Sequence, residues 1–371
     1  HIGDGAVDRV DDDAPPLRLF IARTGPASVW GCWSFHHILL DGRSFTVVLQ
    51  DVFAAYAALK SGQAPALVLP PPPRPYTDFV EWTRKQRFAT SLPFGKKLLA
   101  GKDAPTSLPP LTPSLAGEGV SYGETTAKLP TTTATALRAL ATSTKTTLGT
   151  LFQAGWALTL NRLTGDDDVV FGTTRAGRRA PLSEEGKLDN LADMVGLFIN
   201  TLPVRAKIVD DEPLAAFVQQ LREQSLVVRA HEHTPLVDVL GQSDVPRGTS
   251  LFHTLLMFEN QELNATLRAG DKRFEKRFFH YEEQPTFPLN ITVFDIAPDN
   301  VEVRVLFDKA RFADAAIGRL IGWFSQVLLS MTQATTTGDV RLLDDDDRHA
   351  ILFGRQNETK RAFPDQLLIH E

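Results

Sequence analysis

The 371-residue chain has a single cysteine, Cys32. No internal disulfide can form, which fits a reducing compartment. Cys32 sits in the apolar run Trp30, Cys32, Trp33, Phe35, so it is expected as a buried thiol and not a nucleophile. Positive charge is also scarce: 39 Lys and Arg stand against 45 Asp and Glu, a formal net charge of −6. The basic residues form no block, which argues against a nucleic-acid backbone or an anionic membrane surface as partner. No apolar run approaches the roughly 20 residues of a membrane span, and the start lacks a basic-then-apolar leader pattern. A cytoplasmic protein is the default expectation. His231 and His233 lie one residue apart with no third ligand of suitable type nearby in sequence, so no metal is expected.

What is present suits a soluble globular protein. Hydrophobic residues make up 43% and charged residues 23%, and the length suggests two lobes of about 150 residues or more. Leu17 to Ala22 and Ser28 to Phe35 read as short strands around the Gly25-Pro26 turn. Phe45, Val48, Leu49, Val52, Phe53 and Tyr56 recur at helical spacing, with Ser44 as a plausible cap. After the proline run at 70–73, residues 76–87 resume as a helix with Phe79 and Trp82 inward, and residues 101–123 read as an interlobe linker. The second half carries its own set: helices near 133–142, 148–163 and 214–229, and strands at 168–171, 198–204, 251–258 and 289–296. Val301, Val303, Val305 and Phe307 alternate as a half-buried strand, and Ile317 to Met331 is an amphipathic helix. Asp344 to Asp347 reads as a solvated acidic turn. Strands and helices mixed in both halves indicate α/β lobes.

The chemistry-bearing candidate is the run His36-His37-Ile38-Leu39-Leu40-Asp41-Gly42 between the second strand and the helix. An imidazole titrating near neutrality can take a proton from an attacking amine or hydroxyl, or hold that group by hydrogen bonding. Two adjacent histidines on a strand point to opposite faces, so one is structural. That role goes to His36 and the site role to His37. Asp41 is too close in sequence to be assumed a partner of His37, and its carboxylate could pair with a distant arginine. Gly42 would admit a close backbone approach that a side chain would hinder.

This run matches the HHxxxDG signature and resembles the condensation domains of nonribosomal peptide synthetases, within the chloramphenicol acetyltransferase-like superfamily. Further blocks follow in the family's order. Residues 76–82 resemble its YxDFxxW helix and 168–178 (DVVFGTTRAGR) a strand and loop ending in Gly-Arg. Residues 194–205 (MVGLFINTLPVR), 233–236 and 244–252 resemble later motifs, and 353–359 with 369–371 the lead into an adenylation domain. By the family pattern a segment is expected before HHxxxDG, so the first lobe would lack its opening part. Ser250 stands where the family usually has proline.

The resemblance implies an α/β fold: two chloramphenicol acetyltransferase-like lobes forming a V-shaped pseudo-dimer with a central tunnel. Residues 1–123 would form the N-terminal lobe plus interlobe linker, 124–350 the C-terminal lobe, and 351–371 the linker towards an adenylation domain. It implies an acyltransferase that joins a donor acyl or peptidyl thioester to the amine of an acceptor aminoacyl thioester. Both substrates would ride on phosphopantetheine of peptidyl carrier proteins, with no permanently bound cofactor. His37 would act in catalysis, Asp41 would pair with Arg178, and Thr286 and Asn290 would line the tunnel. A backbone amide near Gly42 could hold the oxyanion. The alternatives are a superfamily acyltransferase using a CoA or carrier donor, and a non-catalytic domain that recruits a partner.

Overall fold

A computed structural model describes residues 15–26, 28–85, 92–108, 122–178, 191–246, 248–259, 284 and 286–354. The strands β1 (Leu17–Gly25) and β2 (Ser28–Phe35) pair antiparallel, with Leu19 opposite Trp33 and Phe20 opposite Cys32. Alternation gives this ribbon two distinct faces. One presents Trp33 and Phe35 to Phe45 of α1 (Gly42–Lys60), at ring separations of 5.3 and 5.6 Å. The other carries Phe20, Trp30 and Cys32. Phe20 and Trp30 are 66% and 70% exposed, and Cys32 is exposed as well. The burial expected for Cys32 is therefore incorrect, because alternation turns it away from α1.

Two further expectations for α1 change. Its N-cap is Asp41, whose carboxylate accepts from the Ser44 backbone N–H; Ser44 is not the cap. The helix forms where the apolar spacing places it, yet Val52 and Tyr56 are exposed while Ser44, Thr46 and Ala58 are buried.

A six-stranded mixed sheet organises the remainder. Its strands are β3 (Tyr122–Lys128), β4 (Asp168–Arg175), β5 (Asn200–Lys207), β6 (Thr254–Glu259), β7 (Leu289–Ala297) and β8 (Asn300–Asp308). They lie in the order β3-β8-β7-β6-β4-β5, and only β4/β6 and β6/β7 run parallel. The alternating valines of β8 turn one face inward, and that face is covered by α4 (Thr131–Ser143), α5 (Leu148–Thr164), α6 (Leu214–Ala230) and α8 (Asp314–Met331). Here α5 is buried nearly all round, from Leu151 to Asn161 with only Gln153 less enclosed, as its mostly apolar surface requires. It is capped by the Thr147 hydroxyl and ended by Gly165 in the left-handed conformation. The acidic run at 344–347 is the start of α9 (Asp345–Phe353) and not a turn: Asp344 caps it through the Asp347 N–H.

A second cluster joins α3 (Leu92–Leu99) to α7 (Leu236–Leu240), with Leu99 packed beside Val170, Leu202 and Val239. Polar contacts reinforce it. Arg205 donates to both Asp168 carboxylate oxygens at 2.7 and 2.6 Å, and to the Leu98 and Ala100 carbonyls at 2.9 and 2.8 Å. Lys102, also buried, reaches Asp166 at 3.1 Å. Of the expected 101–123 linker, residues 101–108 are thus tied to the second half, and 109–121 lie outside the described residues. The lobe boundary drawn at 123 falls inside β3, and the boundary at 351 falls inside α9.

Partial burial pushes the Asp168 carboxyl upward, but bonding and charge from Arg205, with Lys102 and Lys207 nearby, hold it below the usual aspartate value of 3.8. A carboxyl depressed in the folded state adds stability above its unfolded value and loses it as pH falls through the folded one. Asp168→Asn should therefore lower stability at neutral pH and flatten its decline below about pH 4. Urea melts across that range check this; parallel pH profiles for variant and wild type would contradict it.

Candidate active site

β2 ends at Phe35, so His36 and His37 stand in the turn that follows it and not on the strand. Strand alternation therefore does not apply to them, and turn geometry, not opposite strand faces, sets their orientation. The Leu39 N–H donates to the His36 carbonyl at 3.0 Å, and the Ile38 N–H donates to His36 Nδ1 at 3.1 Å. His36 is thus consumed in closing the turn. His37, the next residue, is half-buried.

The turn is held at each end. At the near end the His36 N–H donates to the Pro16 carbonyl at 2.8 Å, and at the far end the Asp41 N–H donates to the Gly196 carbonyl at 3.2 Å. Asp41 is 1% exposed. One of its carboxylate oxygens accepts from Ser44 N at 2.8 Å and from Arg178 Nη2 at 2.6 Å; the other accepts from Phe198 N at 3.1 Å. Arg178 in turn donates Nη1 to the carbonyls of Leu191 and Met194 at 2.7 and 2.8 Å, and its guanidinium lies 4.2 Å from the Phe198 ring centre. A buried ion pair is favourable only when its remaining donors and acceptors are also matched. Here three donors serve the carboxylate, and of the guanidinium only Nε finds no partner among the described residues.

The loop at 194–198 is shaped for this contact. Gly177, just before Arg178, has φ +60°, and a Cβ there would lie 2.1 Å from the Phe198 carbonyl oxygen. Only glycine lets Arg178 approach so closely. Gly196 lies under the Tyr76 ring, where a Cβ would come within 2.1 Å. Tyr76 opens α2 (Tyr76–Lys85), donates its hydroxyl to the Leu197 carbonyl, and packs with Phe79, Trp82, Met194 and Phe198. Burial and the neighbouring Asp41 carboxylate raise the Tyr76 pKa above its usual range, against the lowering effects of Arg178 and the Leu197 bond. The residue acts as a neutral donor.

Of the candidates named from sequence, the structure gathers His36, His37, Asp41 and Arg178 in one region. Gly42 opens α1 without a positive φ, and a Cβ placed on it would meet nothing within 4 Å among the described residues beyond its own helix and chain neighbours. No backbone angle demands this glycine; the space before it is open. Asn290 is buried on β7 and donates to the Phe287 carbonyl at 2.6 Å, while Thr286 is exposed on the preceding loop. His231 stacks on Phe94, and His233 lies edge-on to Trp82; no group of three metal-ligating side chains occurs among the described residues. Sequence reasoning missed the convergence of Ser44, Tyr76, Gly196 and Phe198. The blocks at 76–82 and 194–205 were visible, but nothing in their spacing says that they meet.

The family described as "Condensation domain" matches residues 9–352. The chain belongs to the condensation-domain family. It is 34% identical to a linear gramicidin synthase polypeptide of Brevibacillus parabrevis over 97% of this chain and 7% of that protein. With a surfactin synthase polypeptide of Bacillus subtilis the identity is 30%, over 91% of this chain and 26% of the relative. The condensation domain thus spans a small part of each relative. Among solved structures, the X-domain from teicoplanin biosynthesis aligns with a TM-score of 0.71 at 19% identity, covering 89% of this chain and 75% of that one. A four-domain nonribosomal peptide synthetase, holo-AB3403, aligns with a TM-score of 0.70 at 17% identity, covering 90% of this chain and 26% of that one. These likenesses establish the same mixed α/β fold. No helix among the described residues is long and apolar enough to cross a membrane.

Removing one partner of a buried ion pair strands the other, at a cost of roughly 3–5 kcal/mol. Arg178→Met should destabilise the domain by about that amount, because it leaves the Asp41 carboxylate and the Leu191 and Met194 carbonyls short of donors. Chemical denaturation at neutral pH measures it. A loss under about 1 kcal/mol would mean that the pair does not hold the loop to the helix.

Proposed function

We propose that this condensation domain forms an amide bond between two carrier-bound substrates. The donor is an acyl or peptidyl thioester and the acceptor is the amine of an aminoacyl thioester. Each is tethered by the phosphopantetheine of a peptidyl carrier protein, and an adenylation domain adjoins in the larger chain. The observation that carries this reading is the half-buried His37 on a turn pinned at both ends, behind which Asp41 and Arg178 are engaged with each other and with the 191–198 loop. Such a site supplies imidazole chemistry and a rigid frame for it.

In the reaction the acceptor nitrogen bonds to the donor carbonyl carbon. The tetrahedral adduct then collapses, the carbon–sulfur bond breaks, and the donor phosphopantetheine leaves as its thiol. The amine loses one proton in the process. His37 holds or accepts that proton, a contribution of about 10²–10⁴-fold. Juxtaposing two tethered reactants supplies more, since effective molarities reach about 10⁵–10⁸ M. The open space before Gly42 suits an approaching substrate, and its backbone N–H is a candidate donor to the oxyanion. Asp41 and Arg178 frame the site without touching substrate, and a tunnel between two lobes, lined in part near Thr286 and Asn290, would lead the two arms to His37.

Intact-mass spectrometry of two loaded carrier proteins tests this directly. Wild type should transfer the donor acyl group to the acceptor carrier, and a folded His37→Ala variant should slow transfer by at least about 10²-fold. Normal turnover in the variant would remove His37 from the mechanism. No transfer across a broad donor panel would favour a partner-recruiting domain or an acyltransferase with another donor.

A further inference from the structure

Ser44 holds a hydroxyl that helix capping does not use. The residue is fully buried, two positions into α1. Its oxygen donates to the Gly196 carbonyl at 2.7 Å, and accepts from the Gly196 N–H at 2.9 Å and from Arg178 Nη2 at 2.6 Å. One donor and two acceptor positions are the whole capacity of a hydroxyl, so every one is filled. Both sides of a single residue's backbone, 152 positions away in sequence, are thus gripped by one side chain.

Gly196 is also the far anchor of the histidine turn, because its carbonyl takes the Asp41 N–H. It cannot retreat towards α2, where the Tyr76 ring leaves no room even for a methyl group. The near anchor is the shorter bond, but it rests on Pro16, an exposed residue ahead of β1, whereas Gly196 is buried. The turn thus rests on both anchors, and the Gly196 end is the one fixed by buried groups. Asp41 and Arg178 reach the loop at Phe198, Leu191 and Met194, while their link to Gly196 passes through the Asp41 N–H and the Ser44 oxygen.

We infer that Ser44 is a positioning residue for His37: through Gly196 and Asp41 its hydroxyl sets where the turn holds the imidazole. The kinetic consequence rests on the amide-forming reading above; the geometric one does not. Sites of this kind tolerate displacements of only about 0.5 Å, and a misplacement near 1 Å can cost about 10²-fold in rate.

The test compares Ser44→Ala and Ser44→Cys with wild type, below the melting range and per folded molecule. Single-turnover amide formation at saturating carriers should fall about 10- to 100-fold in Ser44→Ala, with half-saturating carrier concentrations unchanged. Ser44→Cys places a larger atom there that offers only weak hydrogen bonding, pushing Gly196 away, and should lower the rate as well. In parallel, the ¹⁵N-imidazole signals of His37, assigned with His37→Ala, should shift in both variants. A folded variant with wild-type rate and unmoved His37 signals would reduce Ser44 to a stabilising contact and overturn the inference. Should Ser44→Ala not fold, Ser44→Cys decides by the same two readings. A wild type that forms no amide counts against the proposed reaction, and the His37 signals then still test the positioning role.

Discussion

The buried pair of Asp41 and Arg178 is the constraint on which the rest of the site depends. Taking both charges out of water is costly, and attraction between them repays it only if the surrounding donors and acceptors are matched. The chain meets that demand by gathering partners from three places: the first turn of α1, the end of β4, and the loop at 191–198. Once they converge, the backbone between β2 and α1 has little freedom, and His37 lies in the middle of it. The ion pair is therefore less a source of net stability than a reason for a single arrangement.

That arrangement also explains why α2 packs where it does. Tyr76 presents a flat ring to Gly196, a hydroxyl to Leu197 and an edge to Phe198. Phe198, which packs in one apolar cluster with Phe79 and Trp82, lies against the guanidinium. Behind it, Arg205 and Lys102 bind the chain after α3 to the β4 end of the sheet. Arginine suits such positions because its fork can serve a carboxylate and carbonyls at once.

Much of this was legible beforehand where periodicity governs. The alternating valines of β8, the strand β7, the helix α5 and the amphipathic α8 all lie where their patterns place them. The short HHxxxDG run was legible too, as chemistry without geometry. What spacing could not carry was contact at a distance. Ser44 reads as a cap because serine suits caps, yet Asp41 has the same chemistry three residues earlier and a distant arginine to share. Cys32 reads as core because its neighbours are apolar, but alternation decides which side of the ribbon it occupies. Gly177 and Gly196 look like ordinary loop residues until the atoms that crowd them are known.

The separation between the partners has a consequence for how the protein is made. Asp41 and Phe198 are 157 residues apart, and a ribosome adds about 5–20 residues per second. For roughly 10 to 30 seconds the carboxylate, the exposed ribbon of β1 and β2 and the helix behind them exist without the loop that completes them. Phe20 and Trp30 face solvent then as they do in the finished fold, on a ribbon that among the described residues pairs with no third strand, the combination that invites wrong pairing with other chains. Helix-rich local order in α1 can form at once, but the site is a late event of synthesis, assembled only when its distant half has emerged.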